Sequence, residues 1–456
     1  MRTALGGARD RLDEFARSSP ARLALLVFAG IIAVETALLS LPMATSSGQR
    51  APFVDALFTA TSAVCVTGLT TVDTGTYWST FGQAVILAGV LIGGLGVMTL
   101  ASILGLAVSR HIGLTQRLLM ASEKGASDRL GEVGSLVRAV IVTSLVVEGV
   151  LTAVFFPKFL TMGESPGSAL WHAFFAAGST YNNAGFVIID GGLYPHAGDW
   201  WIGLSIIFGT FIGALGFPVV LNIARTWRTP RRWSLHTKLT LATYAALTVG
   251  SALMIGAFEW TNPDTLGERP LDERILISLV YSVNTRSSGL ATIDVGAMRE
   301  STWFLQDALM FVGGGSASTA GGIKVTTLAV LLLAIIAEAR GDRDLDAFGK
   351  RIPYATGRLA VAVAFIGATA VGLATLVILT LEKSMHLDVI LFEVISAFAT
   401  CGLSTGITAE LSDASTYVLT ALMFTGRTGT MTVAAAMALR ERRRVIRMPE
   451  ERPIIG

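Results

Sequence analysis

Apolar runs of two lengths alternate along this chain. Long ones occupy Leu23–Leu41, Phe81–Val108, Val133–Phe156, Trp200–Ala224, Leu239–Phe258, Phe304–Ala337, Leu359–Leu381 and Tyr417–Ala438, and a run of about 20 apolar residues crosses a bilayer as a helix. Inside each successive pair lies one short run: Phe53–Ala63, Ala169–Ala177, Arg274–Val283 or Val389–Ala399. A helix of about 10 residues is about 15 Å long, half of a 30 Å hydrocarbon core, so each short run must turn back inside the membrane. The pattern predicts span, short helix, returning strand, span, four times over.

A glycine marks each return. TATSAVCVTGL (Thr59–Leu69), WHAFFAAGSTYNNAGF (Trp171–Phe186), LVYSVNTRSSGL (Leu279–Leu290) and FEVISAFATCGL (Phe392–Leu403) each end in glycine followed by Leu or Phe, at Gly68, Gly185, Gly289 and Gly402. The period is about 110 residues, far above the 20–50 of solenoid repeats. Any single glycine here reads as a tight turn or a helix contact, but four in register argue for a repeated module. The fold class expected is therefore an all-α polytopic membrane protein with eight transmembrane helices, in four pseudo-repeats of helix, pore loop and helix around a central pore. The modules are expected at 23–110, 130–228, 236–340 and 354–440, between a leader at 1–22 and a tail at 441–456.

Composition agrees: of 456 residues, 52% are apolar and 15% charged, and mean hydropathy is +0.62, values of a polytopic membrane protein. Nucleic acid is not a suggested partner, because Lys and Arg sit in short loops rather than in one stripe. Those loops fix an orientation, since Lys and Arg mark the cytoplasmic side. Arg110, Arg117, Lys124, Arg129 and Arg138 separate modules one and two; Arg225, Arg228, Arg231, Arg232 and Lys238 separate two and three. Arg340, Arg343, Lys350, Arg351 and Arg358 separate three and four, and Arg440 to Arg444 follow the last span. Both termini are thus expected in the cytoplasm, with the polar N-terminus MRTALGGARDRLDEFARSSPAR a retained leader. The outward side carries Asp73, Asp190, Asp199, Asp264, Glu268, Asp294 and Asp388, an acidic vestibule that favours cations.

Returning strands expose backbone polar groups at a depth where irregular backbone survives only if buried in protein or facing water. Four around one axis supply rings of carbonyl oxygens that replace a cation's hydration shell, and glycine permits the backbone angles required. Val66-Thr67-Gly68-Leu69, Asn183-Ala184-Gly185-Phe186, Ser287-Ser288-Gly289-Leu290 and Thr400-Cys401-Gly402-Leu403 resemble the four filters of the Trk/Ktr/HKT superfamily of potassium transporters. The likeness runs from about Leu23 to the end, and eight spans without additional N-terminal helices are most similar to the Ktr-type pore subunit. The resemblance implies potassium uptake across the bacterial cytoplasmic membrane, with potassium bound at these twelve filter residues. It implies that Gly68 is of the potassium-selecting type, where serine goes with sodium preference. It further implies a homodimer in membrane lipid, bound to a cytoplasmic ring of nucleotide-binding regulatory subunits, and leaves sodium open as a coupling or activating ion. No covalent cofactor and no metal beyond permeating potassium is expected, since the five histidines are scattered and Cys65 and Cys401 lack ligand spacing.

The run Phe304–Ala337 is too long for one span, about 51 Å as a helix. Its centre supplies a break: Gly313, Gly314, Gly315, Ser316, Ala317, Ser318, Thr319, Ala320, Gly321, Gly322, Ile323 and Lys324 favour irregular backbone. No GK[ST] occurs, so this is not a phosphate loop. It is similar to the family's intramembrane loop, which obstructs the pore beneath the filter. Arg427 lies inside the last span, where an arginine is costly enough to signal function. It resembles the family's pore arginine, although Thr430 and Met431 follow where Pro-Leu is usual; the other reading is a structural pair with an acid such as Glu393. Glu35, Glu148 and Asp307 are expected to bond neighbouring helices, and Asp55 and Glu393 to make structural bonds behind the filter.

Two other function classes fit the sequence less well. An alternating-access carrier of a small organic solute has broken helices at a midplane site, but such carriers usually show two inverted halves rather than four like segments. A membrane-embedded hydrolase would need a Ser/His, HExxH or paired-aspartate site, and no such motif stands in the sequence.

Overall fold

The computed structural model describes residues 20–112, 127–342 and 344–439, without the side chains of 20–24, 101–112, 127–136 and 430–439. The leader 1–22 up to Ser19, the tail 441–456, the basic residues Arg117, Lys124, Arg343 and Arg440 to Arg444, and the side chains of Arg110, Arg129, Thr430 and Met431 lie outside it. Helices of ten or more residues are α1 (Pro20–Leu39), α2 (Phe53–Val64), α3 (Thr80–Ile112), α4 (Ser127–Thr161), α5 (Pro166–Asn182), α6 (Trp200–Leu215) and α7 (Phe217–Thr226). They continue with α8 (Leu235–Glu259), α9 (Leu271–Asn284), α10 (Glu300–Val312), α11 (Val325–Arg340), α12 (Tyr354–Leu381), α13 (Leu387–Ala399) and α14 (Asp413–Leu439). Between α11 and α12 a hairpin pairs β1 (Leu345–Ala347) with β2 (Lys350–Ile352) through left-handed Phe348 and Gly349.

The four short apolar runs are α2, α5, α9 and α13. Each runs past its apolar stretch at one end or both, α5 most of all, from Pro166 to Asn182; Ser165 accepts from the Ser168 amide with Pro166 in the first turn of α5, and Pro52 and Pro270 precede α2 and α9. Four helices, within α3, α4, α8 and α12, are long and apolar enough among the described residues to cross a membrane, and the pair α6 and α7 makes a fifth if counted as one broken span.

That pair corrects the expectation of an unbroken helix over Trp200–Ala224. The chain bends by 97° between α6 and α7. Gly216 carries the bend at φ 89° and ψ 140°, Pro218 follows in the first turn of α7, and a Cβ at Gly216 would overlap the Ser316 carbonyl oxygen. Hydropathy passes straight through this point, which is why the apolar pattern hid it. Gly216→Ala should destabilise the protein by about 2 kcal/mol, from the left-handed backbone and the displaced loop together; a thermal unfolding midpoint in detergent equal to wild type would contradict it.

Two of the predicted outward acids, and two further acids near the helix ends, serve local structure. Asp199 caps α6 by accepting from the Trp201 and Ile202 amides and also pairs with Lys158. Asp73 caps a four-residue helix through the Thr76 amide, 2.8 Å away. Glu259 is fully buried at the end of α8, where Asn262, Thr265, the Arg299 amide and Thr302 all donate to its carboxylate. Hydroxyls of Ser412 and Ser415 bind Glu382 at 2.5 and 2.6 Å, joining α12 to α14 and holding that exposed carboxyl below its usual range.

Candidate functional site: a ring of four glycine segments

The C-terminal ends of α2, α5, α9 and α13 converge, each three to five residues before its glycine. Helix C-termini carry partial negative charge, so four of them favour a cation at the point of convergence. The four glycines close a ring. A Cβ on Gly68 would overlap the Ala184 carbonyl oxygen, and one on Gly402 would overlap that of Thr67. A Cβ on Gly185 would lie 2.7 Å from the Ser288 oxygen, and one on Gly289 2.5 Å from the Cys401 oxygen. Each segment therefore presses the carbonyl before its glycine against the glycine of a neighbour, in the order Gly68, Gly185, Gly289, Gly402 and back. All four have positive φ, from 63° at Gly289 to 92° at Gly402, backbone that a side chain disfavours.

Three segments share one internal design. Val66, Asn183 and Thr400 are left-handed, with φ of 56°, 60° and 47°. The next amide, of Thr67, Ala184 or Cys401, donates to the carbonyl of Ser62, Ser179 or Ser396 at 2.7 to 2.9 Å. The Ser62 and Ser396 hydroxyls accept from the Gly68 and Gly402 amides, while that of Ser179 donates to the Phe186 carbonyl. Behind them, Gly93, Gly213 and Gly426 meet the carbonyls of Val64, Tyr181 and Phe398 so closely that a Cβ would overlap each oxygen. The serine six positions before the ring glycine, at Ser62, Ser179 and Ser396, is a repeated signal that the sequence itself carries.

The expected break in Phe304–Ala337 is present: α10 stops at Val312, Gly313 turns at φ 62°, and α11 resumes at Val325. The intervening loop lies against the inner ends of the ring segments. Asn183 Nδ2 donates to Thr319 Oγ1 at 2.7 Å, the Gly321 amide donates to Ser287 Oγ at 3.0 Å, and a Cβ on Gly321 would overlap Ala399 and Thr400. The broken span holds the other side: the Gly315 amide donates to the Ala214 carbonyl at 2.8 Å, and the Phe217 amide to that of Ala317 at 3.1 Å. Ser316 Oγ bonds Thr326, Ser318 Oγ bonds the Gly315 carbonyl, and Gly314 packs on Ala320. Gly322, at φ 67°, packs on Gly313, closing the loop.

Arg427 is buried, and Nη1 donates to the Thr319 carbonyl. Its Nε and Nη2 find no hydrogen-bond partner among the described residues. No ion pair joins Arg427 to Glu393 among the described residues: Glu393 Oε1 accepts from Ser404 and Thr408, and Oε2 has no hydrogen-bond partner there. Lys324 adds a second cation, its Nζ donating to the carbonyls of Ala320 at 2.6 Å and Gly321 at 3.1 Å. Buried Glu148 accepts from Asn182 at 2.8 Å and half-buried Asp55 from Thr71 at 2.7 Å, as expected of structural bonds. Glu35 departs from that expectation: both its oxygens lack a partner among the described residues, and it packs against Gly89. Asp307 Oδ1 likewise lacks one. Both cysteines are free and buried, with Cys401 Sγ 3.2 Å from the Thr285 carbonyl. Arg286 was missed altogether; it stands inside the third glycine segment and has no exposed surface.

The model of the TrkH family, described as cation transport protein, matches residues 19–445. The chain belongs to the TrkH family of cation transport proteins. It is 35% identical to Ktr system potassium uptake protein B of Bacillus subtilis (strain 168), over 98% of this chain and 99% of that one. It is 32% identical to the potassium/sodium uptake protein NtpJ of Enterococcus hirae, over 96% and 98%. The potassium transporter TrkH from Vibrio parahaemolyticus shares the fold at 16% identity, with a TM-score of 0.70 over 91% of this chain and 83% of that structure. As a TrkH-family chain with long apolar helices, the protein is a membrane protein and its relatives are transporters rather than enzymes.

Proposed function

We propose that this protein takes up potassium across the bacterial cytoplasmic membrane as a channel-like transporter. The observation that carries the reading is the closed ring, in which each glycine sits against the carbonyl oxygen of its neighbour. Backbone oxygens so arranged replace the hydration shell of a weakly hydrated cation, and the twelve residues Val66–Gly68, Asn183–Gly185, Ser287–Gly289 and Thr400–Cys401–Gly402 form the filter. Potassium is its cargo. The loop Gly313–Lys324 and Arg427 form the gate on the cytoplasmic side. Four modules with eight spans, at 23–110, 130–228, 236–340 and 354–440, surround the pore, and both termini face the cytoplasm. The Ktr resemblance supports a homodimer with a cytoplasmic nucleotide-binding regulatory ring.

Uptake of rubidium into proteoliposomes containing the purified chain tests the reading. Saturable rubidium uptake is expected without any organic solute, with sodium taken up at least about tenfold more slowly. Uptake that required an organic solute would point instead to a carrier and overturn the filter reading.

A further inference from the structure

The third quarter of the ring is built differently from the other three. Val283 stands where they have serine, and Ser287 is not left-handed. The Ser288 amide donates four residues back, to the Asn284 carbonyl at 2.9 Å, instead of five. Thr285, whose carbonyl corresponds to those covered by a glycine elsewhere, meets the Cys401 thiol. In place of the serine, Asn284 Nδ2 donates to the Leu290 carbonyl at 2.7 Å, and Arg286 adds an anchor to a neighbouring helix. Its Cζ lies 3.9 Å from the centroid of the Tyr244 ring, and Nη2 donates to Thr248 Oγ1 at 2.5 Å, both on α8. Nε and Nη1 have no hydrogen-bond partner among the described residues, so the π face of Tyr244 and the Thr248 hydroxyl are the contacts that face the buried charge.

The same anchor reaches the loop. Tyr244 packs edge-on against Phe211, 4.9 Å between centroids, and in one apolar cluster with Ala214, Ala320 and Val325. The residue next to Arg286, Ser287, accepts the Gly321 amide. Filter quarter and loop thus lean on one group of side chains from opposite sides.

We propose that Arg286 is a positioning residue that ties both the third ring segment and the loop to α8, so that ring geometry and loop position are set together. This rests on the reading of the ring as filter and the loop as gate. A planar guanidinium can stack on the ring while reaching Thr248; an ammonium keeps the charge without that geometry.

Rubidium and sodium uptake by the purified full chain, per folded protein, tests it. Arg286→Lys and Tyr244→Leu should each lower the rubidium-to-sodium ratio and raise partner-free rubidium uptake, by about fivefold, with the double variant no worse than either alone. Tyr244→Phe, which keeps the ring face, should restore both values. Thr248→Val removes only a hydroxyl and decides the matter, by shifts in the same directions, if neither larger change yields folded protein. A selective wild type with ratio and uptake unmoved in the folded variants overturns the positioning role while leaving the filter reading intact. An unselective wild type overturns both.

Discussion

Gly68→Ser is expected to reduce the preference for rubidium over sodium at least about tenfold, a loss of roughly 1.4 kcal/mol in discrimination. The reason is steric before it is chemical. Gly68 has φ 91°, and any Cβ there overlaps the Ala184 oxygen and comes within 2.9 Å of the Gly185 Cα. Serine must therefore push the second quarter's carbonyl away from its place or twist the first quarter off its backbone angle. Either change alters the distance of one oxygen from the ion. Sodium, smaller and more strongly hydrated, depends less on four equal oxygens at the wider spacing, so it gains relative to potassium. The measurement is the ratio of initial uptake rates of the two ions in proteoliposomes, normalised to folded protein. An unchanged ratio would contradict the assignment of Gly68 to the filter. Gly402→Ala probes the same joint from the other side, because its Cβ would overlap the Thr67 oxygen of the first quarter.

The parts of the site that a linear pattern can carry were legible in the sequence. Half-length apolar runs ending in glycine marked the ring segments, because a short helix and a glycine are both needed locally, whatever the rest of the chain does. The loop showed itself as glycine crowded into a run too long for one span. The bend at Gly216 did not, since Phe217, Val219 and Val220 continue the apolar run; only Gly-Phe-Pro hinted at a break, and its purpose, holding Ser316 and Ala317, lies in residues a hundred positions away. Arg286 was hidden for a related reason. Its neighbours Thr285 and Ser287 are polar, so nothing local sets it apart, whereas its partners Tyr244 and Thr248 stand on another helix. Polar residues that bond across modules leave no periodic trace. Local necessity is readable from one chain, and partnership between distant segments requires the fold.

Arg427→Gln should raise rubidium uptake, in the absence of any partner, by roughly a hundredfold. Two like unit charges about 5 Å apart repel by about 3 kcal/mol at an effective dielectric constant near 20, and a barrier of that size is worth roughly a hundredfold in rate. The charge is not the whole barrier, because Nη1 also holds the Thr319 carbonyl, and Thr319 is tied to Asn183 of the second quarter. Glutamine removes the charge but keeps an N–H for Thr319; alanine removes both. If electrostatic repulsion dominates, the two variants conduct alike. If the hydrogen bond pinning the loop dominates, alanine conducts well above glutamine. Should both remain at the wild-type rate in a preparation whose filter selects rubidium, Arg427 is no part of the gate. Lys324 then becomes the remaining cation of the loop, although both carbonyls that accept from it belong to that loop and neutralise part of its field before it reaches the pore.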